Sequence, residues 1–294
     1  MPSRSYIAID LNRKDIMFRK VFILLLVLLS LPWGIEAQER RGGRYPYPSR
    51  RYSSRNPGRS ERPSRPYASS ATESVSSKNL TKQRFNGQTG SLPYCQFTEN
   101  MDGSGSPALL LVLHGRSSSG TDNSAQLSSP ALRSLLAYLG KRSAKMIIIA
   151  PQCPSGQDWT GGRGGRSLLP VLDELVRAKC REFNIQQQRC FITGISMGGG
   201  ACYTLMAEYP GLFAKAIVVC AACRDADIAR LRGDFFIIHG ENDRLIPADR
   251  AKQTAQSISG KSNATAKLSI LPGKDHISCA ENAYGENCWS WLLR

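Results

Sequence analysis

The chain has 294 residues, 41% of them hydrophobic, with 39 Lys+Arg against 23 Asp+Glu and a formal net charge of +16. That is enough chain for one large domain with a sizeable core, or for two small ones. The charge is uneven: residues 38–92 hold 12 basic and 3 acidic residues, whereas residues 93–294 hold 22 and 17, too mild an excess for a nucleic-acid groove in the larger part.

Residues 1–37 read as an export signal. Arg19 and Lys20 precede an apolar run from Val21 to Leu31, and a cleavage point follows Ala37. The run has the length of a signal core and falls short of the roughly 20 residues a membrane span needs. Residues 1–16 form a polar preface, so Met17 is read as the true start, and no cysteine lies beside the cleavage point to carry a lipid. The expected location is therefore secreted or periplasmic. Residues 38–91 are Arg, Ser, Pro, Tyr and Gly with few aliphatics. Such a segment cannot bury enough apolar surface to offset its ordering entropy, so a disordered basic linker is expected. A tether for an anionic surface is the other reading of the same residues.

From Leu92 to the end, short apolar runs alternate with amphipathic stretches. Strands are expected at 94–98, 108–115, 145–151, 190–194, 215–221, 234–240 and 266–272, and helices at 129–142, 167–183, 196–209 and 247–259. Continuous apolar strands separated by helices predict an α/β domain over 92–294, with a mostly parallel, doubly wound sheet covered on both faces. In such a sheet the site forms at the carboxyl ends of the strands.

One strand end carries Gly194-Ile195-Ser196-Met197-Gly198, a G-x-S-x-G. A strand leads in and a helix leads out, the context in which this motif lifts a nucleophilic serine on a sharp turn. A serine hydroxyl needs a general base, and the chain has three histidines, His114, His239 and His276. His276 follows the last strand in what reads as a loop and is the expected base. Asp243, shortly past the strand ending in His239-Gly240, is the expected acid. Asp249 is already inside the next helix, and Asp275 adjoins His276, so its side chain should point elsewhere. The backbone N–H groups of Met197 and Arg116 are the expected oxyanion donors. His114 and His239, each in a His-Gly pair, are read as orienting their loops. No metal site or cofactor is indicated. The lone Cys220-Ala-Ala-Cys223 could be a redox pair. Nine cysteines lie between Cys95 and Cys288. Cys279 and Cys288 are a candidate disulfide in an exported chain, and the contrasting expectation is that most of the nine are small buried apolar groups.

The segments "LLLVLHGRSSSG", "IIIAPQCPSGQDW", "FITGISMGGGACYTLMAEYPGLFAKAIVVCAAC", "FFIIHGENDRLIP" and "LPGKDHISC" occur in order. Together, over about residues 92–294, they resemble the α/β-hydrolase superfamily. The nearest resemblance is to secreted carboxylesterases labelled predicted peptidases or phospholipase/carboxylesterases, near feruloyl and acetylxylan esterases and polyhydroxybutyrate depolymerases. The resemblance implies ester hydrolysis through an acyl-enzyme, with Ser196, Asp243 and His276 as the triad. It also implies that Trp159 shapes the acyl or alcohol pocket; His114 is a second expected substrate-binding residue. The short stretch between Ala222 and Asp234 leaves no room for a large lid. The expected substrate is a small-molecule or polysaccharide-linked ester. A peptidase or acyl-aminoacyl hydrolase with the same triad, and a non-catalytic binding module, are the rival readings.

Overall fold

The computed structural model describes residues 79–294. The expected signal at 1–37 and the linker up to residue 78 lie outside the described residues. One eight-stranded sheet organises the rest: β1 (Leu80–Asn86), β2 (Ser91–Glu99), β3 (Ala108–Leu113), β4 (Met146–Pro151), β5 (Cys190–Ile195), β6 (Lys215–Val219), β7 (Arg232–Gly240) and β8 (Asn263–Leu271). Their spatial order is β1-β2-β4-β3-β5-β6-β7-β8. The β1–β2 and β2–β4 pairs are antiparallel and the other five are parallel. The helices are α1 (Pro130–Leu139), α2 (Leu169–Glu182), α3 (Met197–Glu208), α4 (Asp225–Ile228), α5 (Ala248–Lys261), α6 (His276–Asn282) and α7 (Glu286–Leu293).

The unbroken apolar runs of the central strands follow from burial on both faces. Successive side chains point to opposite sides. Leu109, Leu111, Ile147, Ile149 and Ile192 join one core with α2, α3 and α5. Leu110, Val112, Ile148, Phe191 and Ile217 join the other with α1, α6 and α7. Two helical layers thus hold the sheet, and the carboxyl ends of β3, β5, β7 and β8 open onto one edge of the molecule.

Three sequence expectations need correction. Folded structure begins at β1, inside the stretch expected to be linker, and not at Leu92. β1 reads LTKQRFN, with only Leu80, Gln83 and Phe85 turned partly inward. A charged edge strand needs few aliphatics, and its lysine and arginine discourage pairing with other chains. His276 is not in a loop but is the first residue of α6, where Asp275 caps the helix by accepting from Ser278 N at 2.8 Å. The Asp275 carboxylate is engaged by Ser278, whose N–H and hydroxyl both donate to its Oδ1.

The third correction concerns the thiols. All nine cysteines are free. Cys279 and Cys288 are unbridged: both lie in the α6–α7 core, and Cys288 Sγ donates to Ala283 O at 3.3 Å. They pack as small apolar groups. Cys220 and Cys223 belong to the cores on opposite faces of the sheet, so the redox-pair reading has no shared surface to act from.

Candidate active site

Ser196 stands between β5 and α3 with φ 54° and ψ −113°. That conformation is sparsely populated for a residue with a Cβ and costs about 1–3 kcal/mol. Its main chain is held on both sides: Ser196 N donates to Val219 O and Gly200 N donates to Ser196 O, each at 2.9 Å. The flanking glycines are needed for close approach. A Cβ at Gly198 would overlap the carbonyl group of Leu113 and lie 2.8 Å from His114 O. One at Gly194 would overlap the Gly198 main chain and lie 2.8 Å from Cys202 Sγ. The turn can therefore form only against the end of β3.

The candidate acid and base follow the ends of β7 and β8. His276 Nε2 lies 2.9 Å from Ser196 Oγ, and His276 Nδ1 lies 2.7 Å from Asp243 Oδ2. Asp243 is buried. Its Oδ1 accepts from Leu245 N and Ile246 N at 2.9 Å each. A carboxylate held this way takes the proton-bearing Nδ1 of His276 as its partner, which leaves Nε2 unprotonated and able to accept the serine hydroxyl proton. His239 Nε2 lies 2.8 Å from Ile246 O and 3.2 Å from Asp243 Oδ2. It orients the acid turn, as its sequence position suggested. The two turns are also tied by Asn242 N donating to Lys274 O at 2.8 Å.

The loop after β3 lies against the serine. A Cβ at Gly115 would be 3.7 Å from Ser196 Cβ. Arg116 opens a 3-10 turn (Arg116–Ser118), and Met197 opens α3. First-turn N–H groups have no acceptor within their own helix, which leaves the N–H groups of Arg116 and Met197 as candidate donors beside Ser196. His114 fixes this loop. Cys153 N donates to its Nε2 at 3.0 Å, so Nδ1 carries the proton and donates to Gly115 O at 2.7 Å. Burial lowers the His114 pKa below the ordinary imidazole value, against a smaller opposing effect of the Gly115 bond.

Trp159 and His114, expected to border the substrate, both lie in the interior. Trp159 is 0% exposed and His114 2%. Trp159 Nε1 donates to His114 O at 3.1 Å, and the two rings pack 5.0 Å apart. The tryptophan braces the loop from inside the core. The open space near the base is instead a hollow of about 560 Å³ between the acid and base turns, bordered by Arg244, Leu245, Asp275, His276 and Ile277. Sequence reading missed it, because Leu245 and Ile277 belong to no periodic pattern; their only signal is adjacency to Asp243 and His276.

Cys220 was also missed as a neighbour of the site. Its Sγ, a carboxylate oxygen of Asp243 and a ring nitrogen of His276 lie within 4.8 Å of one another. The donor chemistry does not fit a metal. Asp243 and His276 already bind each other, and the Cys220 thiol is pushed well above its ordinary pKa by its hydrogen bond with Cys279 and by burial. A metal would need the thiolate.

The sheet order, with Ser196 after β5, Asp243 after β7 and His276 after β8, defines an α/β-hydrolase fold. Residues 166–287 match the model of the Dienelactone hydrolase family, a span that contains Ser196, Asp243 and His276. Over 160 residues the chain is 25% identical to acetylxylan esterase A of Emericella nidulans, covering 49% of this chain and 51% of that protein. The chain thus spans about half the length of that curated relative. Among solved structures it is similar to a thermostable esterase, with a TM-score of 0.62 and 24% identity over 73% of this chain and 62% of that one. It is also similar to a ferulic acid esterase, with a TM-score of 0.55 and 14% identity over 73% of this chain and 97% of the other.

Proposed function

We propose that this protein is an exported serine hydrolase of carboxylic esters. The observation that carries the reading is the hydrogen-bonded series Ser196 Oγ, His276 Nε2, His276 Nδ1 and Asp243 Oδ2, at 2.9 and 2.7 Å, beginning at a serine held in a strained turn. In this reading Ser196 Oγ attacks the ester carbonyl and its proton passes to His276 Nε2. Asp243 stabilises the imidazolium and fixes its tautomer. Met197 N and Arg116 N donate to the developing oxyanion. The C–O bond then breaks, His276 returns its proton to the departing alkoxide, and water repeats the cycle on the acyl-enzyme.

The names of its relatives, an acetylxylan esterase and a ferulic acid esterase, support an ester as the substrate and differ in the acyl group. Arg19, Lys20 and the apolar run from Val21 to Leu31 support export to the periplasm or beyond. Ser196→Ala is expected to lower kcat for a short-chain p-nitrophenyl ester by about 10⁶ if the three groups act as a unit. Hydrolysis persisting in that variant at the unsubstituted rate would contradict the proposal. An aminoacyl anilide cleaved faster than the ester would turn the reading to a peptidase with the same residues.

A further inference from the structure

Two large apolar side chains are strongly exposed among the described residues: Leu245 at 63% and Ile277 at 64%. Both border the same hollow, and so does His276. Single exposed apolar residues need no explanation, but a pair facing one concavity beside a candidate base does. Neither is on a swinging loop. Leu245 N donates to Asp243 Oδ1 at 2.9 Å, and Ile277 follows His276 in the first turn of α6, which Asp275 caps. The bonds around Asp243 and at the start of α6 therefore fix the main chain that carries these two exposed side chains.

We propose that this hollow receives the alcohol part of the substrate and selects esters of apolar alcohols, with Leu245 and Ile277 as specificity-determining residues. The inference rests on the ester-hydrolase reading above. The direction comes from proton delivery. The leaving oxygen must lie within hydrogen-bond reach of His276 Nε2 to take its proton, whereas Met197 and Arg116, the oxyanion donors of the proposed reaction, do not line the hollow. A hollow that His276 borders, and that Ser196, Met197 and Arg116 do not, is therefore assigned to the alcohol side. Arg244 and Asp275 both line it and carry opposite charges, so neither sign of substrate charge is favoured and apolar contact decides. An alkyl or aryl group removes Leu245 and Ile277 from water; a hydroxyl-rich sugar does so less well. The account therefore favours small esters of apolar alcohols over polysaccharide-linked ones.

The test is kcat/KM for ethyl, butyl and hexyl acetates, alcohols of closely similar acidity, beside ethyl esters of increasing acyl length. Each methylene fully buried is worth about fourfold, so in a shallow hollow hexyl acetate should exceed ethyl acetate by about tenfold. Leu245→Ser with Ile277→Ser should flatten that alcohol series and leave the slope of the acyl series in place. Leu245→Met with Ile277→Leu, which keeps the apolar surface, should retain the alcohol slope, so that a misfolded serine variant is not mistaken for support. An unchanged alcohol slope in the serine variant, or a change confined to the acyl series, would overturn the inference while leaving ester hydrolysis standing. If the unsubstituted protein hydrolysed none of these esters, the underlying reading would fail instead.

Discussion

At the residue scale, the proposed chemistry rests on a few side chains tied down by hydrogen bonds. Asp243 accepts main-chain bonds on one oxygen and a histidine on the other, so it can orient His276 without being displaced by solvent. His114 shows how a residue can matter without touching the reaction. It is buried and neutral, with a donor at one ring nitrogen and a carbonyl at the other. Because burial lowers its pKa, the unfolded chain binds a proton that the folded one refuses. Both states are neutral above the ordinary value of 6.5. Below it the unfolded state gains the proton first, so stability should fall as pH drops through 6.5 towards the lowered value. Urea unfolding of the unsubstituted protein and of His114→Asn between pH 5 and pH 8 would check this. The variant should be less stable throughout and should lose part of the acid-side slope. Parallel curves would show that His114 is not the group responsible.

At the element scale, the decisive unit is β5, the Ser196 turn and α3, packed against the end of β3. The glycines leave space for crossing main chains. Gly198→Ala puts a methyl group into the Leu113 carbonyl, so the β3 loop with Arg116 must shift. The expected cost is about 1–3 kcal/mol for overpacking, or about 2–4 °C in Tm per kcal/mol for a domain of this size. Esterase activity should fall by more than that destabilisation explains, because Arg116, the proposed oxyanion donor, moves with the loop. Calorimetry beside kcat would separate the two effects, and a variant with normal kcat would refute the close-approach account. This unit was legible in the sequence because its signals are local: an apolar strand, two glycines around a serine, then a helix. The parts that were not legible lack such signals. β1 hid in a polar stretch because an edge strand need bury only alternate residues. α6 hid because its start is set by the Asp275–Ser278 cap, in a segment too short to show a helical period. Trp159 was expected beside the substrate because the resemblance to esterases implied that its loop borders the cleft. Its indole is consumed instead in bracing His114, a partnership visible only once β3 and the loop after β4 are side by side.

At the scale of the whole molecule, two helical layers bury both faces of one sheet, and the cysteines are spread through both cores. Eight of the nine are buried and Cys180 is half-buried. Burial pushes Cys95 up to about 11 and both Cys153 and Cys223 up to about 12. Cys180 goes the other way: its hydrogen bond with Cys190, 3.8 Å away, lowers its pKa. A thiol reagent such as dithionitrobenzoate should therefore modify one thiol of the reduced native protein quickly and the rest only on unfolding. Cys180→Ser should remove the fast phase, and a fast phase of several thiols would contradict the packing described. The central claim, that Ser196 is a nucleophile activated by His276 and Asp243, is tested most directly by a fluorophosphonate followed by peptide mass spectrometry. The account predicts one phosphonyl group per chain, on Ser196, with loss of ester hydrolysis in step with labelling and no adduct in His276→Ala on the same timescale. An unlabelled Ser196 in a protein that goes on hydrolysing esters would contradict it.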